Sequence, residues 1–484
     1  MNTLSFVSLA PMLILVVGGI VVLGVDLCFK NAGRNIFAAI TIVALLSALL
    51  ALAYFDFSER SFFDALLIDG LAKISLWVII GASLLFIPLA FAGMRFLEYQ
   101  FSEFYALFLF MAAGFGGMVS SDNLIVIVIS LEIGSLALYA LISMHRRDRA
   151  LEAAIKYFTM GALAAGLLIF GVMLLYAATG SLEIGEIQSA LVASGFEHTP
   201  LVLTASAFII AGLGFKLSVV PFHTWTPDVY EGSSAPMAGY MSIVPKIAGF
   251  TVAIRLFDFL AQSPDRVVFG LLYLVAVATL TIGNLLALVQ EDVKRMLAYS
   301  SISHAGFVMC VFVMGSSEAQ AGLFLYWILF LFTNLGAFAM LWLSRHPSKT
   351  WDIRFDHPYS KFAGMVRLSP MGAIIMAIFM LSLAGIPPFA LFFGKIYLIG
   401  EAIASEHLYL ALIMLANSAI AVYYYLKLIV YMFLRDSADN DGTVYYQNGA
   451  APLKVVLGVA AVTVVVSFLW IEPLLGSLSE LIGG

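Results

Sequence analysis

The sequence is short of charge. Only 11% of its 484 residues are Asp, Glu, Lys or Arg, against about 25% in soluble domains. That is too little polar surface to wrap a soluble globule of this length. It also excludes a nucleic-acid-binding protein, whose phosphate contacts need basic surface. Cysteine is nearly absent: Cys28 and Cys310 stand alone in apolar sequence without C-x-x-C spacing. Neither a disulfide scaffold, a metal cluster nor a redox pair is read from them. P-loop, dinucleotide fingerprint, H-E-x-x-H and haem-attachment motif are all missing, and His145, His223 and His304 are too scattered for a metal site. The chain thus carries no visible means of extracting chemical energy for itself. The first apolar run, Leu4 to Leu27, has no basic segment before it and is too long for a signal-peptide core, so it reads as a spanning helix.

What is abundant is apolar sequence, 62% of residues with a mean hydropathy of +1.02. A spanning helix needs about 20 mostly apolar residues. Fourteen such segments are read: 5–27, 35–55, 72–93, 103–120, 122–143, 152–177, 201–220, 234–257, 267–289, 295–315, 319–344, 368–401 with a break, 407–434 and 452–476. The fold class is therefore an all-α polytopic membrane protein. Alternate loops carry Lys30, Arg34, Arg95, Arg146, Arg147, Arg149, Lys294, Arg295, Arg345, Lys349, Arg354, Lys361, Arg367, Arg435 and Lys454. The opposite loops hold mainly acids (Asp56, Glu59, Asp64, Glu183, Glu186, Glu197), with Arg60 and Arg266. Cytoplasmic loops are the basic ones, so both termini are expected on the far side of the membrane.

With the loop charges set aside, a short list is singled out inside the spans: Glu132, Lys156, Lys216, Lys246, Lys395 and Lys427. A charge at the bilayer centre costs about 3 kcal/mol on insertion scales and usually marks function. Lys156 follows Glu152 by four residues and is explained as well by a surface pair. Lys427 lies near a helix end, from which it can snorkel. The other four have no such explanation. Lys216, in GLGFKLSVVPFHTW, precedes Pro221 by five residues. Lys395, in AGIPPFALFFGKIYLIG, follows Pro387 and Pro388, with Gly385 and Gly394 flanking. Proline removes a helical hydrogen bond, and broken helices in corresponding halves point to the transport site of inverted-repeat transporters. Lys246 lies thirty residues after Lys216, and thirty after Lys395 stands Tyr425. Five helices from about 103 to 257 therefore map onto those from about 267 to 434, and an odd number per unit turns the second copy over. GFGGMV at 114–119 lies inside a span and reads as close helix packing.

Four strings carry a resemblance: SLEIGSLALYAL (130–141), GLGFKLSVVPFHTWTPDVYEG (212–232), KRMLAYSSISHAGF (294–307) and LSLAGIPPFALFFGKIYL (381–398). They resemble the antiporter-like membrane subunits of respiratory complex I, the proton-translocating NADH:quinone oxidoreductase. Among these they are most similar to the subunit N branch. Of its two larger relatives, one has a lateral amphipathic helix absent here and the other a glutamate where Lys395 stands. The resemblance implies two inverted five-helix repeats with helices 7 and 12 discontinuous. It divides the chain into three N-terminal helices (1–101), a first repeat (102–260), a second repeat (265–435) and a C-terminal helix (436–484). It implies that Glu132 pairs with Lys216, that Lys246 is the central relay lysine and Lys395 the outlet lysine, and that His304 and Tyr424 are polar positions between them.

The implied activity is that of a translocase subunit, in which electron transfer from NADH to quinone elsewhere in the complex drives proton pumping here. No redox site, cofactor or metal is expected in this chain. NAD, FMN, iron–sulfur clusters and quinone belong to partner subunits. The expected partners are other membrane-arm subunits, including a neighbouring antiporter-like one, and lipid, in a bacterial inner membrane. The chemistry agrees in scale: three pKa units of modulation are roughly 4 kcal/mol, and moving a charge against 150–200 mV costs about 3.5–4.6 kcal/mol. Three other readings remain at this point. They are a subunit of a multi-subunit cation/proton antiporter or membrane-bound hydrogenase, an independent solute transporter, and a scaffold in which the buried charges are dispensable.

Overall fold

The computed structural model describes residues 7–29, 32–55, 57, 65–90, 97–195, 199–261, 266–345, 357–436, 445–446 and 451–483. Six unbroken spans come first: α1 (Ala10–Cys28), α2 (Arg34–Tyr54), α3 (Gly70–Ala90), α4 (Ser102–Val119), α5 (Leu124–Ser143) and α6 (Asp148–Thr179). A short helix α7 (Ile184–Ala193) leads to the seventh span, α8 (Thr199–Leu217) and α9 (Trp225–Gly232). The eighth is α10 (Ala235–Met241) with α11 (Val244–Leu260), and the ninth is α12 (Val267–Leu288). The tenth is α13 (Val293–Met309) with its last turn α14 (Val311–Met314), and the eleventh is α15 (Ser317–Leu343). A single turn α16 (Met365–Leu368) precedes the twelfth, α17 (Pro370–Ala384) and α18 (Ala390–Ala404). Then follow α19 (Leu408–Leu434), α20 (Ala451–Val466) and α21 (Ile471–Gly483). Ser344–Arg345 pairs antiparallel with Tyr445–Tyr446. Among the described residues, twelve helices are long and apolar enough to cross a membrane. The eighth and twelfth spans are assembled from shorter pairs.

Burial separates the helices into two classes. α13 with α14, and α15, are buried nearly all round. α6, α19 and α20 keep one stripe inward and turn residues such as Leu163, Leu412 and Val455 outward, as helices at a lipid boundary do. Small residues allow the closest crossings. A side chain at Gly114 of α4 would meet the Gly134 backbone nitrogen of α5 at 2.4 Å, and one at Gly306 of α13 would meet the Leu280 nitrogen of α12 at 2.3 Å. The glycines of 114–119 thus serve packing, as their place inside a span requires.

These two crossings belong to two copies of one unit. Helices α5 and α13 begin 169 residues apart, and so do α6 and α15. The Asn123 side chain caps α5 by accepting from Ile125 and Val126, and Asp292, 169 residues on, caps α13 by accepting from Arg295. The breaks correspond at a spacing of 167. Helix α8 ends at Leu217 and α17 at Ala384. Ser218 and Gly385 follow with φ of 62° and 79°. Val219 then donates to the Gly214 carbonyl and Ile386 to the Leu381 carbonyl, each at the same place in its turn. Both ends are left-handed C-terminal caps that stop the helix and satisfy its last carbonyls, and both are followed by Pro–Phe, at 221–222 and 388–389.

The structure departs from the sequence reading in three places. The eighth span is broken as well: Pro245 has no N–H to give the preceding turn, and α10 stops at Met241 before α11 begins at Val244. The fourteenth, read as one helix over 452–476, turns at Ser467–Leu469 and continues as α21 to Gly483. There it packs so closely that a side chain at Gly70 would strike the Leu481 carbonyl. The alignment of lysines by thirty-residue spacing also fails at the breaks, because the 167-residue correspondence sets Leu383 opposite Lys216 and Asp228 opposite Lys395. Lys30, Asp56, Glu59, Arg60, Asp64, Arg95, Glu197, Lys349 and Arg354 lie outside the described residues.

Candidate functional site

Helix α8 ends inside the bundle, so its last turn delivers Lys216 to a point where backbone hydrogen bonding is already interrupted. The lysine is 3% exposed. Its ammonium donates to Ser135 Oγ at 2.8 Å and to the Tyr157 hydroxyl at 3.3 Å, over the faces of Phe115 and Tyr157. The resemblance expected Glu132 as its partner. Among the described residues no basic group reaches ion-pair distance of Glu132, whose Oε1 is buried with no hydrogen-bond partner. Ser135, one turn along α5, takes the ammonium instead. The Phe215 carbonyl at the break accepts from the Ser218 N–H at 3.1 Å and from Trp225 Nε1 at 2.9 Å, and the Val220 N–H is held by Thr279 Oγ1 at 2.9 Å. The backbone exposed by the break is therefore satisfied by side chains, as buried polar groups require.

Lys246 sits in the first turn of α11, where the helix dipole disfavours a cation. Its ammonium donates to the carbonyl and the hydroxyl of Ser301, each at 2.7 Å. Gly249, one turn further, lies against Leu217 and the stem of Lys216, which brings α8 and α11 together there. Ser301 is on α13 three residues before His304, and so on the same face. His304 Nδ1 meets the Tyr326 hydroxyl at 2.5 Å and Nε2 meets the Tyr425 hydroxyl at 3.0 Å.

Lys395 approaches from α18. Its ammonium donates to the Leu383 and Ala384 carbonyls, both at 3.1 Å, at the negative end of the α17 dipole. Its stem lies over Gly385, where an added Cβ would stand 2.7 Å from Lys395 Cδ. Lys395, His304, Tyr424, Asn284 and Asn417 line one cavity of ≈ 10 Å³, about the room one water needs. Tyr424 does not bond His304. Its hydroxyl donates to Asn284 Oδ1 at 2.8 Å, and Asn284 donates on to Asn417 Oδ1 at 3.1 Å.

The two repeats place equivalent groups at equivalent stations. At the 169-residue spacing Ser135 corresponds to His304 and Tyr157 to Tyr326, so Lys216 and His304 each meet the same conserved-by-position tyrosine of their own half. Glu132 corresponds to Ser301, the partner of Lys246. The sequence reading missed Ser135, Tyr157, Ser301, Tyr326 and Tyr425, because neutral hydroxyls are no anomaly in apolar sequence. The 169-residue repeat is the signal that finds the first four; Tyr425, opposite Leu256 in that register, is found only through its bond to His304. It also missed Arg255 in the eighth span, which donates to Asp69 Oδ1 at 2.7 Å and to the Val119 carbonyl, tying α11 to the ends of α3 and α4. Lys156 pairs with Glu152 at 2.8 Å as read, and also with Asp228 at 3.2 Å. Lys427 donates to the Gln290 carbonyl at 3.1 Å over the Tyr359 ring.

Three comparisons bear on this arrangement. Residues 121–421 match the family model described as NADH:quinone oxidoreductase/Mrp antiporter, TM. The chain is 53% identical to NADH-quinone oxidoreductase subunit N of Sulfurimonas denitrificans over 98% of its own length and 96% of that protein's. It is 51% identical to the protein of the same name from a Sulfurovum species over 98% and 96%. A chain in the structure of respiratory complex I from Thermus thermophilus with bound aureothin is 30% identical. It superposes with a TM-score of 0.80 over 97% of this chain and 99% of that one. With fourteen spans among the described residues, three of them broken, and a match over nearly the full length, the chain belongs to the subunit N family of NADH-quinone oxidoreductases, within the antiporter-like membrane proteins.

Proposed function

We propose that this chain moves protons across a bacterial inner membrane as part of an NADH:quinone oxidoreductase, driven by electron transfer in other subunits. The observation that carries the reading is the run of buried ionisable groups through both repeats. Helices α8 and α11, which carry Lys216 and Lys246, meet at Gly249; Lys246 is bonded to Ser301, Ser301 shares one face of α13 with His304, and His304 and Lys395 line one cavity. Buried charges of this kind are too costly to retain without a use. Lys216 takes up a proton, passes it to Lys246 and on past His304 to Lys395, and Lys395 releases it. Glu132, with an unpartnered oxygen one turn from Ser135, is the second seat for the Lys216 ammonium. Movement between the two seats changes the charge beside the lysine and so its hold on a proton. Tyr424 orders the cavity through Asn284.

In this reading residues 102–260 and 265–435 are the two working units. The basic loops face the cytoplasm and both termini the periplasm. NAD, FMN, iron–sulfur clusters and quinone bind partner subunits. A neighbouring antiporter-like subunit abuts this one within the membrane arm. The broken helices present Lys, Gly, Pro and Phe, which offer no pocket for a larger solute. The test is NADH-driven acidification of inverted membrane vesicles carrying Lys216→Ala. The complex assembles and acidification falls at least tenfold; full acidification by the variant overturns the assignment.

A further inference from the structure

The correspondence of the two breaks sets Asp228 of α9 opposite Lys395 of α18, 167 residues apart. Lys395 occupies the half of its broken helix that leads to the acidic face, and Asp228 the half that leads to the basic face. Asp228 is no orphan: Oδ2 pairs with Lys156 at 3.2 Å and Oδ1 with Arg295 at 3.0 Å, while Arg295 also holds Glu231 at 2.6 Å. These groups border a cleft of ≈ 180 Å³, lined by Arg149, Glu152, Lys156, Asp228 and Glu231. Helices α6 and α9 pack hard at its edge, because a side chain at Gly232 would meet the Arg149 carbonyl at 2.5 Å.

One residue deeper on α6 is Tyr157, and three residues deeper on α9 is Trp225. Their rings stack face to face, with centroids 4.2 Å apart at 9°. Tyr157 then touches the Lys216 ammonium, and Trp225 the Phe215 carbonyl beside it. The same two helices that carry the ion pair thus carry the aromatic stack, and the stack lies between the wet cleft and the lysine. We propose that the Asp228–Lys156 ion pair latches the Tyr157–Trp225 stack closed over Lys216, making Asp228 a positioning residue that gates access from the basic face. Breaking the pair releases α9 from α6, parts the rings and lets water reach Lys216. This rests on the reading of Lys216 as the group that takes up protons, and it refines how the proton arrives.

The test measures access rather than pumping, in the assembled complex within membrane vesicles. Ser135→Cys places a thiol beneath the stack, next to Lys216, and the buried native Cys310 is an internal control. Reaction of both with a small methanethiosulfonate reagent applied from the basic face is followed by mass spectrometry. Adding Asp228→Asn should speed labelling at residue 135 by at least tenfold and leave Cys310 unchanged, while Asp228→Glu should match the parent. Lys156→Met, made at a half-exposed residue, should reproduce Asp228→Asn from the other side of the pair. Unchanged labelling at residue 135 in both Asp228→Asn and Lys156→Met overturns the gate. Faster labelling at both thiols shows that the pair merely holds the fold together, and overturns it as well. Failure of Lys216→Ala to impair pumping would remove the relay and leave the access result standing, so the two ideas fail separately.

Discussion

At the scale of the residue, the ionisable side chains were legible and their partners were not. A lysine in apolar sequence announces itself by its cost in hydrocarbon, and so Lys216, Lys246 and Lys395 stand out, each now found buried with its ammonium bonded to two acceptors. Ser135, Ser301 and Tyr326 cost little to insert and carry no such signal. Glu132 shows the limit from the other side: its charge marks the position, yet the contact with Lys216 is made one turn away by Ser135. The geometry at Lys216 makes a specific prediction. Arginine keeps the positive charge but holds its proton at any working pH, and its fork is too broad for a seat formed by one serine and one tyrosine. Lys216→Arg should therefore lose at least as much NADH-driven acidification as Lys216→Ala at equal assembly. Ser135→Ala, which removes a single hydrogen bond to a charged group worth about 1.5–3 kcal/mol, should slow turnover without abolishing it. Wild-type turnover in Lys216→Arg would mean that the lysine contributes only its charge.

At the scale of the element, helices of ordinary length could be read from hydropathy alone, and breaks could be read where proline and glycine cluster. The break before α11 escaped because one proline among apolar residues also fits a helix start. The α20–α21 turn escaped because α21 is apolar enough to continue a span. The matched caps at Ser218 and Gly385 give an asymmetric expectation. A non-glycine residue in the left-handed region costs roughly 1 kcal/mol or more, so Ser218→Gly should be tolerated and should raise the thermal stability of the complex slightly. Gly385→Ala meets the same backbone penalty and also pushes its Cβ into the Lys395 stem. It should reduce turnover several-fold, and Lys395 is the group displaced. Comparison of assembled complex on native gels with turnover per complex separates the two effects. Equal behaviour of the two substitutions would show that the caps are not constrained as their backbone angles indicate.

At the scale of the whole molecule, the inverted repeat decides where the faces are and how the relay is joined. The loop charges alone give orientation, and small exposed sites test it. Ser189→Cys on α7 should react with impermeant thiol reagent only from the periplasm, and Ala451→Cys at the start of α20 only from the cytoplasm, and the reverse pattern would invert the topology. The relay itself asks more. Lys246 comes from the first repeat and is seated on Ser301 of the second, whereas Lys395 is seated on its own broken helix and meets His304 only across a cavity about one water wide. If these lysines merely filled space, methionine would fit both sites and would remove a buried charge, a change that is often neutral or stabilising. If they act in series, Lys246→Met or Lys395→Met should each cut NADH-driven, inhibitor-sensitive turnover and vesicle acidification at least tenfold with assembly intact. The double variant should then be little worse than the weaker single one, because groups that act as one unit give non-additive losses. Wild-type gradients in both single variants would leave a scaffold and no relay. Loss at Lys246 alone would place the exit before Lys395, through the Tyr425 side of His304.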